Sequence, residues 1–128
     1  MQKQTIIWTA VVLIGLGVLT YFIIRNSKPD PNDPRTVFAQ CLGEKGAKFY
    51  GAFWCPHCQN QKKIFGRSAK ALPYIECSTA NKEMNQVCKD AGITGYPTWV
   101  FADGSRLNGE VPFTALAEKT GCAVPPTK

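Results

Sequence analysis

The chain has 128 residues, 45% of them hydrophobic, and a formal net charge of +6 at pH 7. This length gives room for one ordinary domain. The positive charge is spread along the chain, and no arginine-rich run or basic strip with interleaved aromatics suggests a nucleic-acid partner. The densest basic cluster has helical spacing, and we interpret it as a solvated helix face: Lys62, Lys63, Arg67 and Lys70.

An uncharged apolar run stands near the start of the chain. Residues 6–24 read IIWTAVVLIGLGVLTYFII, interrupted only by two threonines. A helix of this length reaches roughly 28 Å, close to the hydrocarbon thickness of a bilayer. A cleaved signal peptide is the alternative, but Tyr21, Phe22 and Arg25 follow where a small-residue cleavage site is needed. We therefore expect residues 1–25 to form an uncleaved anchor that enters the membrane through residues 6–24.

A polar, proline-rich segment follows the apolar run. It reads RNSKPDPNDPR and contains no large apolar residue, so it cannot contribute to a core and favours extended conformations. We interpret residues 26–35 as a tether. Residues 36–122 then form the folded domain, and residues 123–128 form a C-terminal tail.

All six cysteines follow the apolar run, and their number is even. Beyond a membrane anchor, this density indicates an oxidising compartment with structural disulfides. The flanking charges favour the opposite orientation, because Lys3 stands before the run and Arg25, Lys28 and Arg35 stand after it. We give the cysteines more weight and expect an extracytoplasmic domain, either periplasmic or at the cell surface.

The domain begins with alternating helix and strand patterns. Apolar residues at helical spacing predict a short helix over residues 36–44, and AKFYGAF predicts a buried strand over residues 47–53. The sequence WCPHC then starts a helix, since Pro56 suits the first helical position. A second short strand is predicted over residues 74–76.

The second half of the domain contains a helix, a hairpin and a closing helix. Residues 81–92 predict a helix with Asn81 or Thr79 as its cap and a glycine as its stop. Residues 96–109 predict two strands joined by a tight turn at Asp103 and Gly104. An amphipathic helix follows over residues 112–121. The predicted order is helix, then β-α-β-α-β-β-α.

Two motifs in this order resemble the thioredoxin fold, a central mixed sheet flanked by helices. One is FWCPHC, a strand end followed by a Cys-X-X-Cys that opens a helix; the other is GITGYPTWVF, residues 92–101. The wider pattern is similar to the thioredoxin-like domains found fused to, or working beside, homologues of vitamin K epoxide reductase. Those partners are membrane enzymes that pass electrons from thiols to quinone.

The resemblance assigns roles to the residues of both motifs. Cys55 is expected to be the attacking cysteine at the mouth of the helix, where the helix dipole favours its thiolate. Cys58 is expected to be buried and to release the mixed disulfide. The redox-active group is then the Cys55–Cys58 disulfide, and no cofactor or metal is expected.

Other residues of the motifs are expected to support this pair. Pro56 and His57 match the pair found in strongly oxidising Dsb-type enzymes, and His57, when protonated or donating an N–H, adds a second contribution that stabilises the Cys55 thiolate. Pro97 is expected to be cis, and the backbone of Tyr96 to bind an extended substrate. Trp54 either shields the active face or is a plain core aromatic.

One position departs from the pattern of many thioredoxins and disulfide isomerases. They carry a buried carboxylate six residues before the first cysteine, where this chain has Phe49. Glu76 is the nearest candidate for a substitute, although a surface position is equally consistent with the sequence. This departure favours donating a disulfide over reducing one.

The four remaining cysteines are expected to form two structural disulfides. Cys77 ends the second strand and Cys88 lies on the next helix, so the two can meet across a short loop. Cys41 on the first helix and Cys122 after the last one are the other expected pair. The alternative for Cys77–Cys88 is a second redox pair that relays electrons.

These observations predict a membrane-anchored enzyme that exchanges disulfides with cysteine-containing secreted or membrane proteins. A disulfide donor is the first choice of direction, and a reductase or isomerase is the second. Two other classes stay open: a metal-binding module with Cys55, His57 and Cys58 as ligands, and a redox-inert adaptor. The metal module lacks a second matching cysteine pair.

Overall fold

The computed structural model describes residues 1–126, so the predicted C-terminal tail lies partly outside the described residues. Helix α1 spans Gln2–Ser27. Its stretch Gln2–Ile24 has a mean hydropathy of 2.3 and is long and apolar enough to cross a membrane, and no part of it is buried by the domain. A signal sequence near the N-terminus can also meet these criteria of length and composition.

Helix α2 spans Pro34–Glu44 and begins two residues before the predicted start. The reason is a cap that the sequence analysis missed. Asp33 is the N-cap and accepts a hydrogen bond from the backbone N–H of Arg35 at 2.9 Å, and Pro34 takes the first helical position. The helix buries one face against the core, including Phe38 and Leu42.

Four short strands form a mixed sheet in the order β2-β1-β3-β4. Strand β1 is Lys48–Gly51, shorter than predicted at both ends; β2 is Tyr74–Glu76, as predicted; β3 is Thr98–Val100; and β4 is Arg106–Asn108. β1 is parallel to β2 and antiparallel to β3, and β3 is antiparallel to β4. The sheet with its flanking helices is the mixed α/β architecture of the predicted fold class.

The predicted hairpin is confirmed by the pairing of β3 with β4. Gly104 has a φ of 78°, a left-handed conformation that glycine adopts without a steric cost, and its N–H donates to Phe101 O at 2.9 Å. The backbone N–H of Ser105 donates to Asp103 Oδ1 at 2.8 Å. The Asp-Gly pair therefore closes the turn between the two strands.

The core lies between the sheet and the helices. Phe49 of the central strand stacks on Trp99, with ring centroids 4.7 Å apart. Helix α3, Pro56–Phe65, packs Phe65 against Phe113 of helix α5, Phe113–Thr120. A 3₁₀ turn over Gly66–Ala71 leads from α3 to β2.

Two disulfides join the cysteine pairs named in the sequence analysis. Cys41–Cys122 ties α2 to the second residue after the end of α5, across 81 residues, and Cys77–Cys88 closes a separation of 11 residues. By loop-closure entropy, they stabilise the fold by about 4.5 and about 3 kcal/mol. Such cross-links matter because a domain of this size buries a modest core.

The predicted helix over residues 81–92 is wrong in its first half. Helix α4 covers only Gln86–Asp90. Its cap is Asn85, whose side-chain oxygen accepts from Cys88 N at 3.1 Å, and not Asn81 or Thr79. The preceding residues form a loop in which Ser78 pairs with Met84 as an isolated bridge.

Candidate active site

Cys55 and Cys58 are the two free cysteines of residues 1–126. Cys55 is the N-cap of α3, with Pro56 in the first helical position. Both cysteines are buried, with exposed fractions of 6% for Cys55 and 1% for Cys58. Cys58 is therefore the more protected of the two.

The backbone around Cys55 fixes it at the helix start. Its N–H donates to Ala52 O at 3.0 Å, and its carbonyl accepts from Gln59 N at 3.1 Å. The side chain of Gln59 also reaches back to Phe53 O at 2.9 Å. The first N–H groups of a helix have no intrahelical partner, so this location favours negative charge on the Cys55 sulfur.

The loop before β3 lies against Cys55. The peptide bond between Tyr96 and Pro97 is cis, the isomer expected from the sequence, and Pro97 is buried. The Cys55 Sγ atom lies 3.8 Å from Tyr96 O. The backbone of Tyr96 is thus next to the sulfur at which exchange is expected to occur.

Cys58 packs over the central strand at Gly51. A Cβ atom at Gly51 would lie 2.9 Å from Cys58 Sγ and 2.9 Å from Tyr74 Cε2, closer than real Cβ contacts allow. Glycine at this position therefore allows the sulfur to approach the sheet. Burial raises the pKa of the Cys58 thiol to about 12, helped by the neighbouring Cys55, while a backbone hydrogen bond from Ala52 opposes the rise.

Trp54 lies beside this pair with 39% of its surface exposed, which excludes a plain core position. Its indole N–H donates to Ser78 Oγ at 2.8 Å. Its ring meets the ring of Tyr96 edge to face, with centroids 6.1 Å apart. Trp54 therefore contributes aromatic surface at the rim of the site, next to the Tyr96 loop.

His57 is exposed, and its hydrogen-bond partner was not foreseen. Its Nδ1 atom lies 2.7 Å from Glu110 Oε1, and the two side chains are 68% and 44% exposed. Asn60 Nδ2 also donates to that carboxylate at 3.1 Å. The hydrogen bond from His57 lowers the pKa of Glu110, and that from Asn60 adds to it. The only signal of this contact in the sequence was that His57 and Asn60 are three residues apart and therefore lie on the same face of a helix.

Glu76 uses both carboxylate oxygens. Its Oε2 accepts from the Tyr74 hydroxyl at 2.7 Å, and its Oε1 accepts from the backbone N–H groups of Phe53 at 3.2 Å and Ser78 at 2.9 Å. This half-buried position at the end of β2 is close to the dithiol helix. Phe49, the position at which a carboxylate was expected from the resemblance, is fully buried in the core.

One member of the basic cluster is not fully solvated. Lys62 is half-buried, and its Nζ atom lies 3.3 Å from the centre of the Tyr74 ring. Lys63, Arg67 and Lys70 are exposed. The interpretation of the whole cluster as a solvated face is therefore wrong for Lys62.

The structure brings together Cys55, Cys58, Trp54, Tyr96 and Pro97, and leaves His57 at the edge of the site. Within residues 1–126, no three His, Cys, Asp or Glu side chains are grouped so that they could hold a metal ion. The arrangement offers an outer sulfur beside an exposed backbone loop and an inner sulfur packed on the sheet. Two cysteines three apart at the start of a helix are typical of dithiol–disulfide proteins.

The amino-acid sequence of the chain is similar to that of a known enzyme. The chain is 47% identical over 109 residues to the thiol-disulfide oxidoreductase LTO1 of Arabidopsis thaliana. The aligned stretch covers 80% of this chain and 28% of that protein, so the chain spans less than a third of its relative's length. No protein-family model matches the chain. This similarity supports the conclusion that the chain is an oxidoreductase.

Proposed function

We propose that this protein is a membrane-anchored thiol–disulfide oxidoreductase. The observation that carries the proposal is the free cysteine pair at the start of α3, with Cys55 against the Tyr96 backbone and Cys58 packed on the sheet. The name of the relative supports the same class of activity. The redox-active group is the Cys55–Cys58 disulfide, without a further cofactor.

The exchange takes place in two steps. A substrate thiolate attacks Cys55 Sγ in the disulfide form, a new S–S bond forms, and Cys58 leaves with the electron pair. A second substrate thiolate then attacks the substrate sulfur of this mixed disulfide and releases Cys55 as a thiolate. The substrate loses two electrons and becomes a disulfide, and the enzyme gains them as a dithiol.

The preferred direction is donation of the disulfide. The Pro56-His57 pair and the helix start both favour a stable Cys55 thiolate, which stabilises the reduced enzyme and makes its disulfide a better oxidant. Deep burial of Cys58 keeps the inner sulfur protonated and slows the reverse attack. A reductase or isomerase of the same fold is the alternative.

The proposed cellular setting follows from the anchor. Helix α1 holds the domain at the membrane through residues 6–24, and the domain lies on the extracytoplasmic side. Residues 26–35, which include the end of α1 and the start of α2, are the tether. Its substrates are cysteine-containing secreted or membrane proteins. The resemblance described above suggests a homologue of vitamin K epoxide reductase as the partner that restores the disulfide.

The test is oxidation of a reduced, unfolded substrate protein by the disulfide form in detergent. The reduction potential of the Cys55–Cys58 couple is measured by equilibration with glutathione. Formation of substrate disulfides, abolished by Cys55→Ala, supports the proposal. Stoichiometric bound zinc would support the metal-binding module, and an unreactive Cys55 would support the adaptor.

A further inference from the structure

Three side chains below the dithiol form a connected charged cluster that the exchange steps above do not use. Lys62 follows Cys58 by one helical turn, so both project from the same side of α3. The Lys62 Nζ atom lies 3.3 Å from the centre of the Tyr74 ring, within the range of a cation–π contact. The Tyr74 hydroxyl then donates to Glu76 Oε2 at 2.7 Å.

The same tyrosine ring borders the inner sulfur. Cys58 Sγ and Tyr74 Cε2 are each 2.9 Å from the position of a Cβ at Gly51, so they lie within twice that distance of each other. The Lys62 ammonium and the Cys58 sulfur therefore both border one aromatic ring. A charge on Lys62 is well placed to act on a charge at Cys58.

Glu76, at the end of β2, fixes the Tyr74 ring by accepting a hydrogen bond from its hydroxyl. Its other oxygen accepts from the backbone N–H groups of Phe53 and Ser78, so the carboxylate joins the loop before α3 to the loop after β2. Burial lowers the pKa of Lys62, whereas the charges of Glu76 and Cys58 raise it. The ammonium of Lys62 in turn opposes the raised pKa of Cys58.

We propose that Lys62 is a charge-positioning residue for the dithiol, and that Tyr74 and Glu76 hold its ammonium where it stabilises negative charge on Cys58. This inference rests on the proposed thiol–disulfide exchange. When Cys58 leaves the disulfide, the S–S bond breaks and the electron pair stays on its sulfur. In the reverse step, Cys58 gives up its proton to solvent and attacks Cys55 in the mixed disulfide. The bond between Cys55 and the substrate sulfur breaks, and the substrate leaves as a thiolate with the electron pair. Both directions share one transition state, in which Cys58 carries partial negative charge.

This role has a kinetic signature that a merely structural role lacks. At neutral pH the end states contain Cys58 either in a disulfide or as a thiol, because its pKa is about 12. Neither end state has the charge that Lys62 would stabilise. Loss of the ammonium should therefore slow both directions equally and leave the equilibrium unchanged.

The test compares Lys62→Met, Lys62→Arg and the control Lys63→Met in the full chain in detergent. Lys63 is the next residue on the same helix, is exposed, and carries the same charge. The two measured rates are reduction of the disulfide form by glutathione and release of glutathione from the mixed disulfide. At the effective dielectric of a protein surface, loss of one nearby charge corresponds to about a tenfold effect.

We expect Lys62→Met to slow both rates about tenfold, with the glutathione equilibrium within about twofold of the wild type. Lys62→Arg should restore most of the rate, and Lys63→Met should match the wild type. Equal rates in Lys62→Met and Lys63→Met overturn the inference. A changed glutathione equilibrium with an unchanged rate of glutathione release from the mixed disulfide also overturns it. If circular dichroism shows that the methionine variant is unfolded, Lys62→Gln provides the same comparison. A wild type that does not react with glutathione instead refutes the proposed function.

Discussion

The close approach of Cys58 to the central strand can be tested at Gly51. In Gly51→Ala, the new methyl group would stand 2.9 Å from both Cys58 Sγ and Tyr74 Cε2. Neither neighbour has room to move freely, because Cys58 is buried and the Tyr74 hydroxyl is held by Glu76. The substitution therefore overpacks the contact between helix α3 and the sheet.

The magnitude follows from two opposing contributions. Inserting a methyl group into a packed site costs about 1–3 kcal/mol. Replacing glycine by alanine restricts the unfolded chain and returns about 0.4–1 kcal/mol. The net loss in the free energy of unfolding should be about 1–2 kcal/mol, which lowers the Tm of a domain of this size by roughly 5–15 °C.

The assay is thermal unfolding of the full chain in detergent, followed by near-ultraviolet circular dichroism. Gly95→Ala is the matched control, since its Cβ would have no heavy atom within 4 Å and its φ is not positive. We expect Gly95→Ala to keep or slightly raise the Tm. If Gly51→Ala lowers the Tm no more than Gly95→Ala, Cys58 does not pack on Gly51 as described.

Three further predictions concern the anchor and the motif. Removal of residues 1–28 should leave a soluble, folded domain that reacts with thiol reagents at the full-length rate; aggregation would contradict the division into anchor and domain. Since burial raises the pKa of Cys58 to about 12, its alkylation, mapped by mass spectrometry, should keep rising with pH beyond 9, and a plateau near 9 would be inconsistent with burial. His57→Ala should make the disulfide a weaker oxidant by roughly 20 mV, as expected for an exposed polar group beside Cys55 that contributes up to about 1 kcal/mol; an unchanged potential would exclude a role for His57.

The local signals in the sequence were sufficient for most of the fold. Pro56 predicted the start of α3 because proline restricts its own backbone, and the Asp103-Gly104 pair predicted the hairpin turn because glycine can adopt the left-handed conformation that the turn requires. The predicted bounds of helix α4 were wrong because its start depends on a contact that is distant in the sequence. Asn85 caps that helix while its amide also donates to Glu76 O at 2.6 Å, and this contact depends on the position of β2.

The partners of the site residues were beyond the reach of sequence patterns. His57 and Glu110 are 53 residues apart in the chain, and their contact depends on how α5 and its preceding loop pack on α3. Lys62 appeared to belong to a solvated basic face because its neighbours are basic. Its position over Tyr74 depends on the packing of α3 against β2, which local periodicity does not contain.

The central claim is that partners form mixed disulfides with Cys55, and that Cys58 is the enzyme sulfur that leaves Cys55 or attacks it to release the partner. The most direct measurement is the amount of mixed disulfide trapped in vivo by Cys58→Ala and by Cys55→Ala, seen on non-reducing gels. We predict abundant reducible adducts for Cys58→Ala, because no second thiol remains to release the partner, and almost none for Cys55→Ala, because Cys58 is only 1% exposed. Equal trapping by the two variants, or trapping by neither, would contradict the account.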